Sequence, residues 1–148
     1  MPSIGILKEL KDNKVFRVAL LFLFLILFLV TRLPRIKDDI VNPDGTNWHY
    51  RSEQFISGVK HKQFEKTYQH YHPGTTLMWV SGVGVEVFKQ VSGVKSYNSE
   101  NFLTFDLVAK VSVIFVQLIL SIFLIFLFSK LVGFYKSFLT VSIFTFEP

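Results

Sequence analysis

The sequence predicts an all-α integral membrane protein, with transmembrane helices flanking a long extracytoplasmic loop that holds amphipathic and interfacial helices. Three observations carry that expectation. Half of the 148 residues are hydrophobic, 17 are Phe and only 18% are charged, against about 25% in average soluble chains. The apolar residues are also gathered into runs. Val18 to Val30 reads VALLFLFLILFLV, and Val111 to Phe128 reads VSVIFVQLILSIFLIFLF, interrupted only by Ser112, Gln117 and Ser121. Finally, the stretch from Arg32 to Thr104 holds both tryptophans, all four histidines and seven of the 11 acidic residues. Such a loop is neither a disordered linker nor a simple connection.

The elements follow in order. Residues 1–14 form a short cytoplasmic head with Lys8, Lys11 and Lys14. A first transmembrane helix is expected over 15–33, since about 20 helical residues cross about 30 Å of hydrocarbon. Thr31-Arg32-Leu33-Pro34-Arg35 offers no small-x-small cleavage site, which favours a retained anchor over a cleaved signal peptide. Residues 34–104 form the extracytoplasmic loop, 105–129 a second transmembrane helix and 130–136 a cytoplasmic turn. A third transmembrane helix is expected to start at 137 and run into the chain end at 148, so the chain reads as truncated.

Basic residues near short flanks set the orientation. Lys8, Lys11, Lys14 and Arg17 precede the first span, and Lys130 and Lys136 lie between the second and third. Both flanks belong in the cytoplasm, which requires an even number of crossings between them. The apolar segment Pro73 to Val91 is therefore expected to lie at the interface or against other spans. Its apolar face should be Leu77, Val80, Gly84, Val87, Phe88 and Val91.

Within the loop, Pro43-Asp44-Gly45 reads as a turn, with Thr46 or Asn47 capping a following helix. Trp48, Phe55, Ile56 and Val59 have the spacing of one helical face. Gly58 and the polar stretch from Lys60 to His70 predict a break and a second short element. His72-Pro73-Gly74 then punctuates the chain.

Absence of cysteine excludes a disulfide framework, a thiolate metal site and a cysteine nucleophile. The net charge of +5 is spread out, with no basic block suited to nucleic acid. Gly-rich phosphate loops, GxSxG and HExxH are missing from the sequence. No cofactor is expected, and a divalent metal is not indicated, because His61, His70 and His72 with Glu65 lack the spacing of a common zinc motif.

Asn42-Pro43-Asp44, then Trp48, Arg51-Ser52 and Phe55, then Thr67 and His72-Pro73-Gly74 resemble the first outer loop of glycosyltransferase family 39. That family includes protein O-mannosyltransferases and the aminoarabinose transferases of lipid A. The resemblance covers most of the chain from Val15 onward, and only the N-terminal portion of the family. It implies a GT-C-like fold and a multi-pass protein of the cell membrane with a cytoplasmic N-terminus. It also implies transfer of a sugar from a polyprenyl- or dolichyl-phosphate donor to an extracytoplasmic acceptor glycan, lipid or protein. By the same resemblance Asp44 is the catalytic base, which takes the proton of the attacking acceptor hydroxyl. The family commonly shows Asp-Glu here, whereas Gly45 follows Asp44 in this chain. Three spans and one loop cannot enclose a lipid-linked donor, so these 148 residues alone are expected to be inactive.

Each further candidate has a plainer alternative. Arg51 could fork onto a donor phosphate, or pair with Asp44 or Glu53. Trp48 could stack on a sugar or, the favoured reading, anchor at headgroup depth beside membrane lipid. His72 either fixes the turn before the interfacial helix or helps line the donor pocket. Asp38 and Asp39 are alternative bases, yet after Arg35 and Lys37 they read as a solvated, mutually compensated stretch. Asp106 and Lys110 have the spacing of an i,i+4 pair, and Gln117 is expected to bond to an adjacent helix. The competing function is a non-enzymatic integral membrane protein whose outer loop binds a partner or lipid.

Overall fold

The computed structural model describes residues 13–34, 36–37, 43–69, 75–94 and 100–147, apart from the side chains of Pro43, Asp44 and Thr46. Among them every regular element is helical: α1 (Lys14–Arg32), α2 (Pro43–Lys60), a 3-10 turn (Phe64–Thr67), α3 (Thr75–Ser92), α4 (Phe102–Val132) and α5 (Phe134–Phe146). Two of these, α1 and α4, are long and apolar enough to cross a membrane. The chain folds as two compact units, one of Met1–Pro34 with Leu118–Pro148 and one of Arg35–Gln117.

In the first unit, Asn13 starts α1 by accepting the Val15 N–H on its side chain at 2.9 Å, one of the donors a helix start leaves unpaired. Thr31 is tolerated in an apolar helix because its hydroxyl donates back to the Leu27 carbonyl at 2.8 Å. The core is aromatic. Phe24 and Phe28 are fully buried, and Phe24 meets Phe138 and Phe146 edge-on at 6.1 and 5.4 Å. Near the start of both helices, Phe16 stacks on Tyr135 and Arg17 lies over Phe134. At their far ends, Arg32 donates to the Thr145 carbonyl at 2.6 Å, neutralising one of the acceptors a helix C-terminus leaves open. Helices α1 and α5 therefore run parallel.

Small polar residues are buried in this unit. Ser137 is fully buried and donates to the Gly133 carbonyl at 3.0 Å, and Ser121 bonds Thr145 at 3.2 Å. Small hydroxyl residues are what tight packing between apolar helices favours.

The expected turn over 130–136 shrinks to Gly133, because α4 runs on to Val132 and α5 begins at Phe134 rather than 137. Gly133 has φ 86 and ψ 155, a conformation almost confined to glycine, so one residue suffices to separate the helices. Likewise α4 begins at Phe102 rather than 105.

The second unit holds α2, α3 and positions 102–117 of α4. The expected Pro-Asp-Gly turn is instead the first turn of α2, which starts at Pro43 rather than after a Thr46 or Asn47 cap. Proline suits that place, since its missing N–H would be unpaired there anyway and its φ is already helical. Phe55 and Ile56 are buried with Met78, and Trp48 and Val59 pack against them. Lys62 adopts φ 57 after α2, and the Gln63 N–H donates to the Gly58 carbonyl at 2.8 Å. That reversal brings the 3-10 turn against Gly58, where an added Cβ would lie 3.2 Å from Thr67 Cγ2.

The packed face of α3 matches the expected one only in part, through Gly84 and Phe88, which meet α4. Met78, Ser81, Gly82 and Val85 are buried, while Leu77, Val87 and Val91 are exposed. Packing selected the narrow side of the helix. A Cβ at Gly82 would strike Ile56 of α2 and come within 2.8 Å of the Ser52 carbonyl, and one at Gly84 would strike Ser112 of α4.

Candidate functional site

Helix α2 carries most of the candidate residues. Positions 44, 48 and 51 follow i, i+4, i+7 spacing and so share one side of the helix. Arg51 lies over the Trp48 indole at 5.6 Å, a cation–π contact within one helix. Among the described residues no carboxylate comes within ion-pair distance of Arg51, and Glu53 pairs with Lys89 of α3 instead. For Asp44 the backbone is placed in the first turn of α2, but its side chain lies outside the described residues, as do His70, His72, Asp38 and Asp39. A Cβ at Gly45 would meet nothing within 4 Å, so the local fold itself does not demand glycine there.

On the opposite flank of α2, His49 Nε2 lies 2.9 Å from Asp106 Oδ1 at the start of α4. Lys110 holds the other oxygen, Oδ2, at 2.8 Å. The expected i,i+4 pair exists, and His49 completes it from 57 residues away. With both oxygens engaged and the side chain only 19% exposed, Asp106 clamps α2 onto α4 just where α4 turns apolar. His49 also meets the Phe102 ring edge-on at 5.7 Å.

Two further charge pairs join α2 to α3: Glu53 with Lys89 and Lys60 with Glu86. Lys89 also sits 5.6 Å above the Phe105 ring. The ammonium of Lys60, bonded to Glu86, holds that carboxyl below its ordinary value, with Gln90 adding a hydrogen bond on the same side. Between the pairs runs an open cleft of about 270 Å³, floored by Ile56, Gly82 and Val85 and edged by Ser57 and His61. His61 Nδ1–H donates to the Ser57 carbonyl at 2.9 Å. A second cavity of about 10 Å³ lies among His49, Ser52, Ser81 and Phe105, room for about one water. No group of three or more His, Asp or Glu suited to a metal occurs among the described residues.

The structure thus brings Trp48 and Arg51 together, while Trp79 packs edge-on against Phe55 at 5.1 Å. The network of His49, Asp106, Glu53, Lys60, Glu86 and Lys89 is the part that sequence reasoning missed. A signal for the α2–α3 pairs was present: each helix carries one Glu and one Lys spaced by about a whole number of turns, in complementary sign. For His49 with Asp106 no local pattern exists, because their partnership is set by how the chain returns.

The fold and the site together define an all-helical protein with two helices of membrane-spanning length and a charged seam in the segment between them. No protein-family model, curated protein or solved structure matches this chain.

Proposed function

We propose that this chain is part of a membrane glycosyltransferase, resembling glycosyltransferase family 39, that moves a sugar from a polyprenyl- or dolichyl-phosphate donor to an acceptor outside the cytoplasm. The observation that carries the reading is the register of α2. Positions 44, 48 and 51 share one side of a helix that lies in sequence between two helices of membrane-spanning length. A carboxylate, an aromatic platform and a guanidinium on one helix side are the parts such a transfer needs. Asp44 accepts the proton of the acceptor hydroxyl as it attacks the anomeric carbon. Trp48 offers a flat surface to the sugar ring, and Arg51 a fork to the departing lipid phosphate. The phosphate is a good leaving group, so charge stabilisation serves it better than a strong acid.

The test uses the complete enzyme that carries this segment. Asp44→Asn keeps size but removes the basic carboxylate, so transfer should fall about 10²–10⁴-fold. Donor binding should persist, because neutralising a carboxylate near a phosphate removes repulsion. Asp39→Asn is the control and should change little. Near-normal transfer by Asp44→Asn would end the catalytic assignment.

A second reading, a non-enzymatic membrane protein, is favoured by one observation. The charged residues along the α2–α3 seam are engaged with one another, as a purely structural layer would require. The same pair of variants separates the readings, since a structural layer has no reason to treat the two aspartates differently.

A further inference from the structure

The second unit is amphipathic as a body, beyond the amphipathicity of its single helices. Helix α3 contains two charged residues, Glu86 and Lys89, and both reach α2, through Lys60 and Glu53. Positions 102–117 of α4 also contain two, Asp106 and Lys110, which bond each other while Asp106 holds His49 of α2. All four charges therefore sit on the side that α2 occupies.

The other side is apolar. Gly84, Val85 and Phe88 of α3 face Ser112 and Phe105 of α4. Gly82 and Met78 face α2. With those two directions taken, helical periodicity leaves Val80, Val83, Val87 and Val91 on the side of α3 turned away from α2. Val87 is 54% exposed and Val91 83% exposed. On α4 the same reasoning turns Val111 and Phe115 away from α2, and both are exposed. An apolar surface shared by two packed helices, with every charge drawn to the opposite side, marks a docking face.

We propose that this face of α3 and α4 lies in the hydrocarbon of a lipid bilayer. The inference rests on α4 crossing a membrane, as the proposed function requires. Continuity argues for lipid as the occupant. Val111 and Phe115 belong to the same helix as exposed Ile119 and Phe123, at i,i+4 spacing within one apolar run. A stripe that continues without a polar break from the spanning segment onto the α3 face meets one solvent along its length. Trp79 fits the boundary of that solvent. Its ring packs on Phe55 of α2 while 44% of the residue stays exposed, and indoles concentrate at headgroup depth.

The chain contains no cysteine, so single-cysteine variants report one position each. Val87→Cys, Phe123→Cys and Tyr50→Cys, labelled with an environment-sensitive fluorophore, are reconstituted in phosphatidylcholine vesicles containing acyl-chain nitroxide lipids. Tyr50 is exposed on α2 and serves as the polar-side control. The labels at 87 and 123 should be quenched several-fold more than the label at 50. Quenching at 123 with none at 87 would overturn the inference while leaving a membrane-crossing α4 intact. Absence of quenching at both positions would remove the crossing itself and the inference with it. Efficient disulfide dimerisation of Val87→Cys without quenching would mean that a second copy covers the face, and would also overturn it.

Discussion

Glu86 shows how much one residue's setting depends on packing that its neighbours in sequence do not reveal. The Lys60 ammonium holds its carboxyl below the ordinary value of 4.5, so near that pH the folded chain binds fewer protons than the unfolded one. The stabilising contribution is complete above about pH 4.5 and is lost as pH falls through the lowered folded value. Lys60 is 54% exposed, so solvent screening keeps the contribution below about 1 kcal/mol. In detergent micelles, the melting temperature should fall from about pH 6 to about pH 3, and Glu86→Gln should lose part of that slope. An unchanged slope in the variant would assign the acid sensitivity to other carboxylates. Asp44, Trp48 and Arg51 were legible in the sequence as candidates, but their common helix side was not, because Pro43-Asp44-Gly45 reads as a turn and only the structure makes it the first turn of α2. Nor were the charge partners. Arg51 settles on Trp48 rather than Glu53, since Glu53 finds Lys89 across the seam, and that competitor lies 36 residues away.

Among the elements, α3 is where the period was read correctly and the buried side only in part. Apolar content pointed to Leu77, Val80, Val87 and Val91 beside Gly84 and Phe88, whereas contact with α2 and α4 goes through Gly82, Ser81 and Gly84. Helices approach most closely where side chains are smallest, and the valines are left for a different neighbour. Gly84 tests this directly. Alanine in a helix interior gains about 1 kcal/mol over glycine, but the new Cβ would lie 2.7 Å from Ser112 Cβ. Overpacking of that kind costs about 1–3 kcal/mol, so Gly84→Ala should be neutral to destabilising by up to about 2 kcal/mol. The sharper reading is the double variant. Ser112 donates only to its own helix, at the Val108 carbonyl, so Ser112→Gly removes the obstruction without breaking a bond between helices. Gly84→Ala should be better tolerated in the Ser112→Gly background than alone, as read from thermal unfolding by circular dichroism. Equal effects in both backgrounds would mean that α3 and α4 do not meet at this point. Boundaries followed similar local logic. Proline at the first helical position extended α2 back to 43, and a glycine-only conformation cut the last turn to one residue; neither effect registers in a hydropathy pattern.

At the scale of the whole molecule, the apolar runs were legible in the sequence through their length, and the basic flanks predict an even number of crossings between them. The first unit supplies a geometric counterpart. Helices α1 and α5 run parallel, with Phe16 and Arg17 beside Tyr135 and Phe134. Parallel neighbours that insert in a bilayer enter it from the same side, so Lys14 and Lys136 belong together. If α4 crosses once and α3 does not cross, Glu65 in the 3-10 turn belongs on the other side. Cysteines at exposed Lys14, Lys136 and Glu65 and an impermeant maleimide, applied before and after permeabilising vesicles, decide this. Ser137 would be a poor reporter, being fully buried against Gly133. Lys14→Cys and Lys136→Cys should label together from the cytoplasmic face, and Glu65→Cys from the opposite face. Orientation and parity separate cleanly. An inverted molecule would exchange the faces yet keep Lys14 and Lys136 in agreement, which would correct the charge rule and leave the helix arrangement standing. Labelling of Glu65→Cys and Lys136→Cys from one face would instead require a second crossing between them. Among the described residues helix α3 is the remaining helix between them, and with it spanning, the charged seam that joins it to α2 would be drawn into hydrocarbon and would not survive.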